Sequence, residues 1–141
     1  MPEAAKIVET LALQPHPEGG WYRETLRVPG DGGRAQVTAI LYLLERGQHS
    51  HWHRVDATEI WCWHAGAPLL LKRAETGAGP TEEALLGPDV AGGESPQAHV
   101  PAGHWQAADA RKGWALVSCI VSPGFEFSGF EMAAPGWNPA G

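Results

Sequence analysis

The sequence predicts an all-β domain, and three observations carry that reading. Its 18 glycines and 12 prolines are scattered along 141 residues rather than gathered in one block, which favours many turns between short strands. Apolar residues recur at every second position over several short stretches, as half-buried strands require. A hydrophobic fraction of 43% beside a charged fraction of 18% describes an ordinary globular chain, and 141 residues suffice for a single domain with a core of its own.

The exception comes first in the chain. Ala4, Ile7, Val8 and Leu11 follow helical spacing, and Pro2 suits a first turn, so residues 3–13 are expected to form one amphipathic helix packed over one end of the sheet. Pro15 stops it. Residues 15–20 read as a rigid loop whose two glycines allow positive φ or a close backbone approach, with His16 and Glu18 serving turn chemistry. Residues 21–28 alternate as a strand, residues 29–33 turn, and residues 35–45 form a nearly continuous apolar run, expected as a central strand covered on both faces.

The stretch from Gly47 to Gly66 carries most of the chemistry. His49, His51 and His53 stand at every second position and are therefore expected on one face of a strand. In the next run Glu59, Trp61 and Trp63 fall on one side, with Ile60, Cys62 and His64 on the other. Further strands are expected at residues 68–74 and 114–121, with a short apolar-edged segment at residues 82–86 between them. The turn at Pro101-Ala102-Gly103 would aim Gln106 and Ala108 to one side and Trp105 to the other. Residues 134–141 read as a loosely held tail.

Composition excludes several partners. A formal net charge of −6 repels polyphosphate, so nucleic acid is not expected. No apolar run approaches the roughly 20 residues a membrane helix needs, and the first residues lack the layout of a secretory leader. Cys62 and Cys119 lie in apolar runs and read as two buried thiols. A soluble cytoplasmic protein is the expectation.

His51-x-His53, then Glu59 and Gly66, resembles the first signature of the cupin superfamily, with five residues between His53 and Glu59 where three or four are usual. Pro101-Ala102-Gly103-His104-Trp105-Gln106 resembles the second, with Gln106 where a metal-binding histidine normally stands and His104 two places early. His16-Pro17-Glu18-Gly19-Gly20, Ser50-x-x-His53-Arg54 and Glu59-x-Trp61 further resemble a small single-domain cupin subfamily. The resemblance implies one cupin domain over residues 1–141, a helix within residues 1–14, a double-stranded β-helix or jelly-roll barrel, a pocket in its mouth, and a homodimer. It alone would place His16 and Glu18 at the pocket rim.

Two chemistries fit these residues. With a divalent transition metal (Fe, Mn, Ni or Zn), His51, His53 and Glu59, or His53, Glu59 and His104, would form a facial ligand set supporting dioxygenase or lyase chemistry. Without one, His53 beside Glu59 would act as a general base, Arg23 or Arg54 would hold an anionic group, and Gln106 would donate or accept a hydrogen bond. Trp61 and Trp63 would then form a flat wall for a carbohydrate-type ligand, or simply fill the core. A buried Glu59 must meet an imidazole, a guanidinium or a metal, because an unpartnered buried carboxylate is costly. The readings are a small-molecule-binding protein of isomerase or epimerase type, a metal-dependent enzyme, and a non-catalytic binder.

Overall fold

The computed structural model describes residues 2–140. One helix, α1 (Pro2–Thr10), precedes β1 (Gln14–Pro15), β2 (Trp21–Val28), β3 (Val37–Leu44), β4 (His49–Val55), β5 (Thr58–Gly66) and β6 (Leu69–Ala74). β7 (Thr81–Leu86), β8 (Gln97–Val100), β9 (Trp105–Asp109), β10 (Ala115–Ser122) and β11 (Phe130–Met132) complete the chain. The strands form a six-stranded sheet in the order β1-β2-β3-β10-β5-β8 and a five-stranded sheet in the order β11-β4-β9-β6-β7. All named pairings are antiparallel, and the two sheets face one another as a double-stranded β-helix.

β3 is covered on both faces, as its apolar run demands. Tyr42 and Leu44 point into the barrel, where they meet Trp61, Leu69, Leu86 and Val117. Leu41 and Leu43 point outward, and helix α1 covers them. Ala4, Ile7 and Val8 pack there with Leu11, Leu13, Trp21, Trp114 and Leu116. The helix thus lies on the outer face of the larger sheet rather than over one end, because alternation leaves Leu41, Leu43 and Leu116 outside the barrel and in need of cover. It is also shorter than residues 3–13. The chain departs from helical geometry at Ala12, whose φ is 54°, and the Leu13 N–H closes the last turn on the Val8 carbonyl at 2.9 Å.

The tail beyond Met132 is pinned, not loose. Trp137 packs at a tilt against Trp105, ring centroids 4.6 Å apart, and stands edge-on to Trp52 at 6.2 Å. The Trp52 indole donates to Asn138 Oδ1 at 3.1 Å, and the Ala140 N–H bonds the Gly77 carbonyl at 2.9 Å. Trp52, Trp105, Ala74 and Ala107 form an apolar patch on the outer face of the smaller sheet, and the tail closes it. The interior is therefore filled at the end of Leu44, Leu69 and Ala115 and left open at the end of Thr38, Val55 and Val121.

Candidate functional site

The open end of the barrel holds a cavity of about 360 Å³. At its deep end four segments supply polar groups: Glu18 from the loop between β1 and β2, His53 from β4, Glu59 from β5 and Cys119 from β10. Val55, Val121, Phe125 and Phe130 form much of its apolar lining.

The loop carrying Glu18 is held down from three sides. The Tyr42 hydroxyl donates to the Gly19 carbonyl, the His51 N–H to the Glu18 carbonyl at 3.1 Å, and the His16 N–H to the Gly20 carbonyl at 2.9 Å. Gly19 has φ 110°, and a Cβ there would lie 2.3 Å from the His49 carbonyl oxygen, so only glycine lets the loop sit this close to β4. His53 reaches the interior because of a β-bulge. Between Ser50 and His53 the register against β9 slips by one residue, from Ala108 opposite Ser50 to Gln106 opposite His53. Ser50 and His53, three apart, consequently both face inward and are buried, while Trp52 joins the outer patch.

Each buried polar group has a defined partner. The Ser50 hydroxyl donates to Glu18 Oε1 at 2.9 Å, and the His53 Nδ1–H donates to the His51 carbonyl at 2.7 Å, which leaves Nε2 as an acceptor. The Trp61 indole N–H donates to Gln106 Oε1 at 2.8 Å, and Gln106 Nε2–H donates to Glu59 Oε1 at 3.0 Å. An indole nitrogen can only donate, so it fixes the amide with its oxygen toward Trp61 and its NH₂ toward Glu59.

Burial sets the protonation. Desolvation raises the Glu18 carboxyl to about 8 against the pull of the Ser50 hydrogen bond. Glu59 is raised to about 7, again by desolvation, with nearby His53 opposing and Glu18 reinforcing the shift. Desolvation lowers His53, and lowers His16 to about 4 with a further push from His53. The 3.5 Å approach of His53 Nδ1 to Glu18 Oε2 is therefore a contact between neutral groups at neutral pH, not an ion pair. Burial also pushes the Cys119 thiol well up, so it lies against Glu59 as an inert thiol.

The sequence matches the model of the family described as Cupin superfamily (DUF985) over residues 5–133. The chain belongs to that family. A hypothetical protein from Leishmania major is similar to this cupin at 33% identity, over 95% of this chain and 89% of its own, with a TM-score of 0.85. A protein from Shewanella oneidensis is 39% identical, over 93% and 84% of the two chains, with a TM-score of 0.86. The oxalate decarboxylase of Bacillus subtilis shares the fold alone, at 15% identity and a TM-score of 0.64 over 84% of this chain and 29% of its own. No curated protein matches the chain.

Within this cupin the expected site residues separate into two groups. His53 and Glu59 come together at the cavity, with Gln106 behind Glu59 as its hydrogen-bond donor. The others lie elsewhere. His51 is turned outward by the bulge, its Nε2–H donating to the Ala134 carbonyl at 2.9 Å, so the three alternating histidines do not share a face with His53. His104 ends the turn at Pro101 and does not line the cavity. Arg23 donates to the Leu11 carbonyl at 3.0 Å on the outer surface, and Arg54 pairs with Glu131 at 2.7 Å while lying over Trp105 at 4.7 Å. Neither guanidinium reaches the cavity. Trp61 is core and Trp63 bonds the Ala67 carbonyl at 3.0 Å, so the expected indole wall is supplied instead by phenylalanines of the segment before β11.

The donor set of this cupin does not fit a divalent metal. Among the described residues no group of three or more His, Cys, Asp or Glu side chains is placed to hold one. The position of the usual fourth ligand carries Gln106, whose NH₂ is aimed at Glu59, and an amide donor repels a cation where a lone pair is required. Glu18 is the residue that sequence reasoning undervalued. Its signal was the pairing of a polar residue with two glycines in the Pro15–Gly20 loop, which reads equally as a turn.

Proposed function

We propose that this cupin binds a small metabolite and moves a proton on it, as an isomerase or epimerase does, with no metal in the step. One observation carries the reading: two largely buried carboxyls, Glu18 and Glu59, flank a neutral imidazole, His53, at the wall of a single cavity. Groups poised near neutrality are the ones proton transfer needs.

In the proposed step Glu59, as carboxylate, takes a proton from a C–H beside a carbonyl. The C–H electron pair becomes the C=C bond of an enol, and protonated Glu18 gives its O–H proton to the carbonyl oxygen. Return of a proton to carbon, with the enol O–H proton going back to Glu18, completes an isomerisation without oxidant or co-reactant. His53 Nε2 accepts a hydrogen bond from the ligand and holds it against the carboxyls. Gln106 is a positioning residue that keeps Glu59 Oε1 occupied and its other oxygen available.

Deuterium exchange tests this. A panel of small carbonyl metabolites incubated with the protein in D₂O, followed by proton NMR, is expected to show loss of one C–H signal from the true substrate class. Glu59→Gln is expected to slow that exchange by about 10²-fold or more, and added chelator to leave it unchanged. Ligands that bind with no exchange would leave a binding protein and end the catalytic reading.

A further inference from the structure

Resting on the reading of the cavity as a small-molecule site, and not on the proton-transfer step, which needs Glu18 protonated, we infer that its ligand is an organic cation: a primary ammonium on a compact apolar frame. The head group would sit among Glu18, His53 and Glu59, with the body against Phe125, Phe127 and Phe130.

The first support is the pattern of lone pairs. Glu18 Oε1 is occupied by Ser50, Glu59 Oε1 by Gln106 and His53 Nδ1 by the His51 carbonyl. Each group keeps acceptor capacity at the cavity wall: a carboxyl oxygen of Glu18, the imidazole Nε2 of His53, and the second oxygen of Glu59, which the Cys119 thiol also touches. A primary ammonium brings three N–H donors and no acceptor, the complement of that set. Among the described residues no group of three His, Cys, Asp or Glu side chains is placed to hold a metal ion.

The second support is the charge around the cavity. Four carboxyls line it, Glu18, Glu24, Glu59 and Glu126, with one guanidinium, Arg27; at the rim Glu126 lies 3.4 Å from Arg34, and at the deep end Glu18 and Glu59 face no guanidinium. The Arg27 guanidinium is held bidentately by Glu24 at 2.8 Å through both nitrogens, so it is not free for an anionic ligand. An entering carboxylate or phosphate would find no counter-charge at the deep end, whereas a cation would find two carboxyls that ionise to receive it. The third support is aromatic. Phe125, Phe127 and Phe130 stand edge to face at 5.0, 5.7 and 6.2 Å, and Phe127 is 67% exposed at the lip. Phenyl faces attract ammonium groups as well as hydrocarbon.

Three probes of one shape decide the matter: benzylammonium, benzyl alcohol and benzoate, titrated calorimetrically into the full chain at neutral pH. Benzylammonium is expected to bind about tenfold or more tightly than benzyl alcohol, and benzoate not at all. Glu59→Gln is expected to remove that preference while leaving the alcohol's weak binding in place. Phe127→Ala, at an exposed site that does not endanger folding, is expected to weaken benzylammonium severalfold. Equal binding of the three probes, preference for benzoate, or no binding of benzylammonium at millimolar concentration would overturn the inference. Ammonium preference without deuterium exchange on any ligand would leave the cation site standing and remove only the proton-transfer reading.

Discussion

The indole of Trp61 decides what Gln106 can be. By donating to Gln106 Oε1 it commits the amide NH₂ to Glu59, so one buried hydrogen bond far from the cavity settles the polarity of a group beside it. Trp61→Phe removes the donor and frees the amide to turn, leaving its oxygen unsatisfied or facing Glu59. The expected cost is about 1–3 kcal/mol in urea unfolding, on top of any loss of packing. Gln106→His tests the other side of the same argument. It places a second imidazole beside His53 and Glu59, and the variant is expected to gain thermal stabilisation by Zn²⁺ or Ni²⁺ that the parent protein lacks. A parent protein that responds equally to these ions would contradict the assigned amide orientation. The glutamine at this position was legible in the sequence. Its orientation was not, because that depends on a neighbour 45 residues away whose side chain the strand pairing brings alongside.

At the scale of elements, the β4 bulge and the glycine loop together make the site. Strict alternation would have put His49, His51 and His53 on one face, and a single inserted residue reverses the outcome for His51 and brings Ser50 inward instead. Period-two reasoning cannot see a bulge, which is a property of two strands and not of one. The same reasoning worked where pairing is regular: Gln106 and Ala108 face inward and Trp105 outward, as the turn before β9 suggested. The double-sided burial of β3 was readable from its uninterrupted apolar run, and what covers its outer face was not. Likewise Trp137 was misread as tail because its partners, Trp52 and Trp105, lie on two other strands. Gly19→Ala provides the test at this scale. The added Cβ meets the His49 carbonyl and the residue is held at φ 110°, so about 1–3 kcal/mol of destabilisation is expected from backbone strain alone. The loop should lift, and amide exchange at the His51 N–H, which now bonds the Glu18 carbonyl, should accelerate. Unchanged protection at His51 would show that the loop tolerates a side chain and is not clamped as described.

For the whole molecule, the buried titratable groups impose a particular dependence of stability on pH. Glu18 and Glu59, ordinarily near 4.5, titrate at about 8 and about 7 in the folded protein, so above 4.5 the folded state keeps two protons that the unfolded chain has released. Each of these opposes stability as pH rises, until its folded value is passed. The imidazoles act oppositely. His16 and His53, ordinarily near 6.5, are lowered by burial, His16 to about 4, so below 6.5 the unfolded chain holds protons that the folded state refuses, and stability falls as pH falls. Between 4.5 and 6.5 the two contributions oppose one another, so stability should change less steeply there than above 6.5. Above 6.5 the imidazole contribution ends while the carboxyl contribution continues through about 7 for Glu59 and about 8 for Glu18. At about 1.4 kcal/mol per unit, the loss between pH 6.5 and 8 comes to about 3 kcal/mol. Urea unfolding across this range should show the fall directly. Glu18→Gln keeps the shape of the protonated side chain and cannot ionise, so the variant should match the parent protein in weak acid and lose most of the decline at higher pH. An undiminished decline in that variant would place the responsible group elsewhere, and a parent protein that gained stability from pH 6.5 to 8 would mean that Glu18 and Glu59 are ionised in the free cavity.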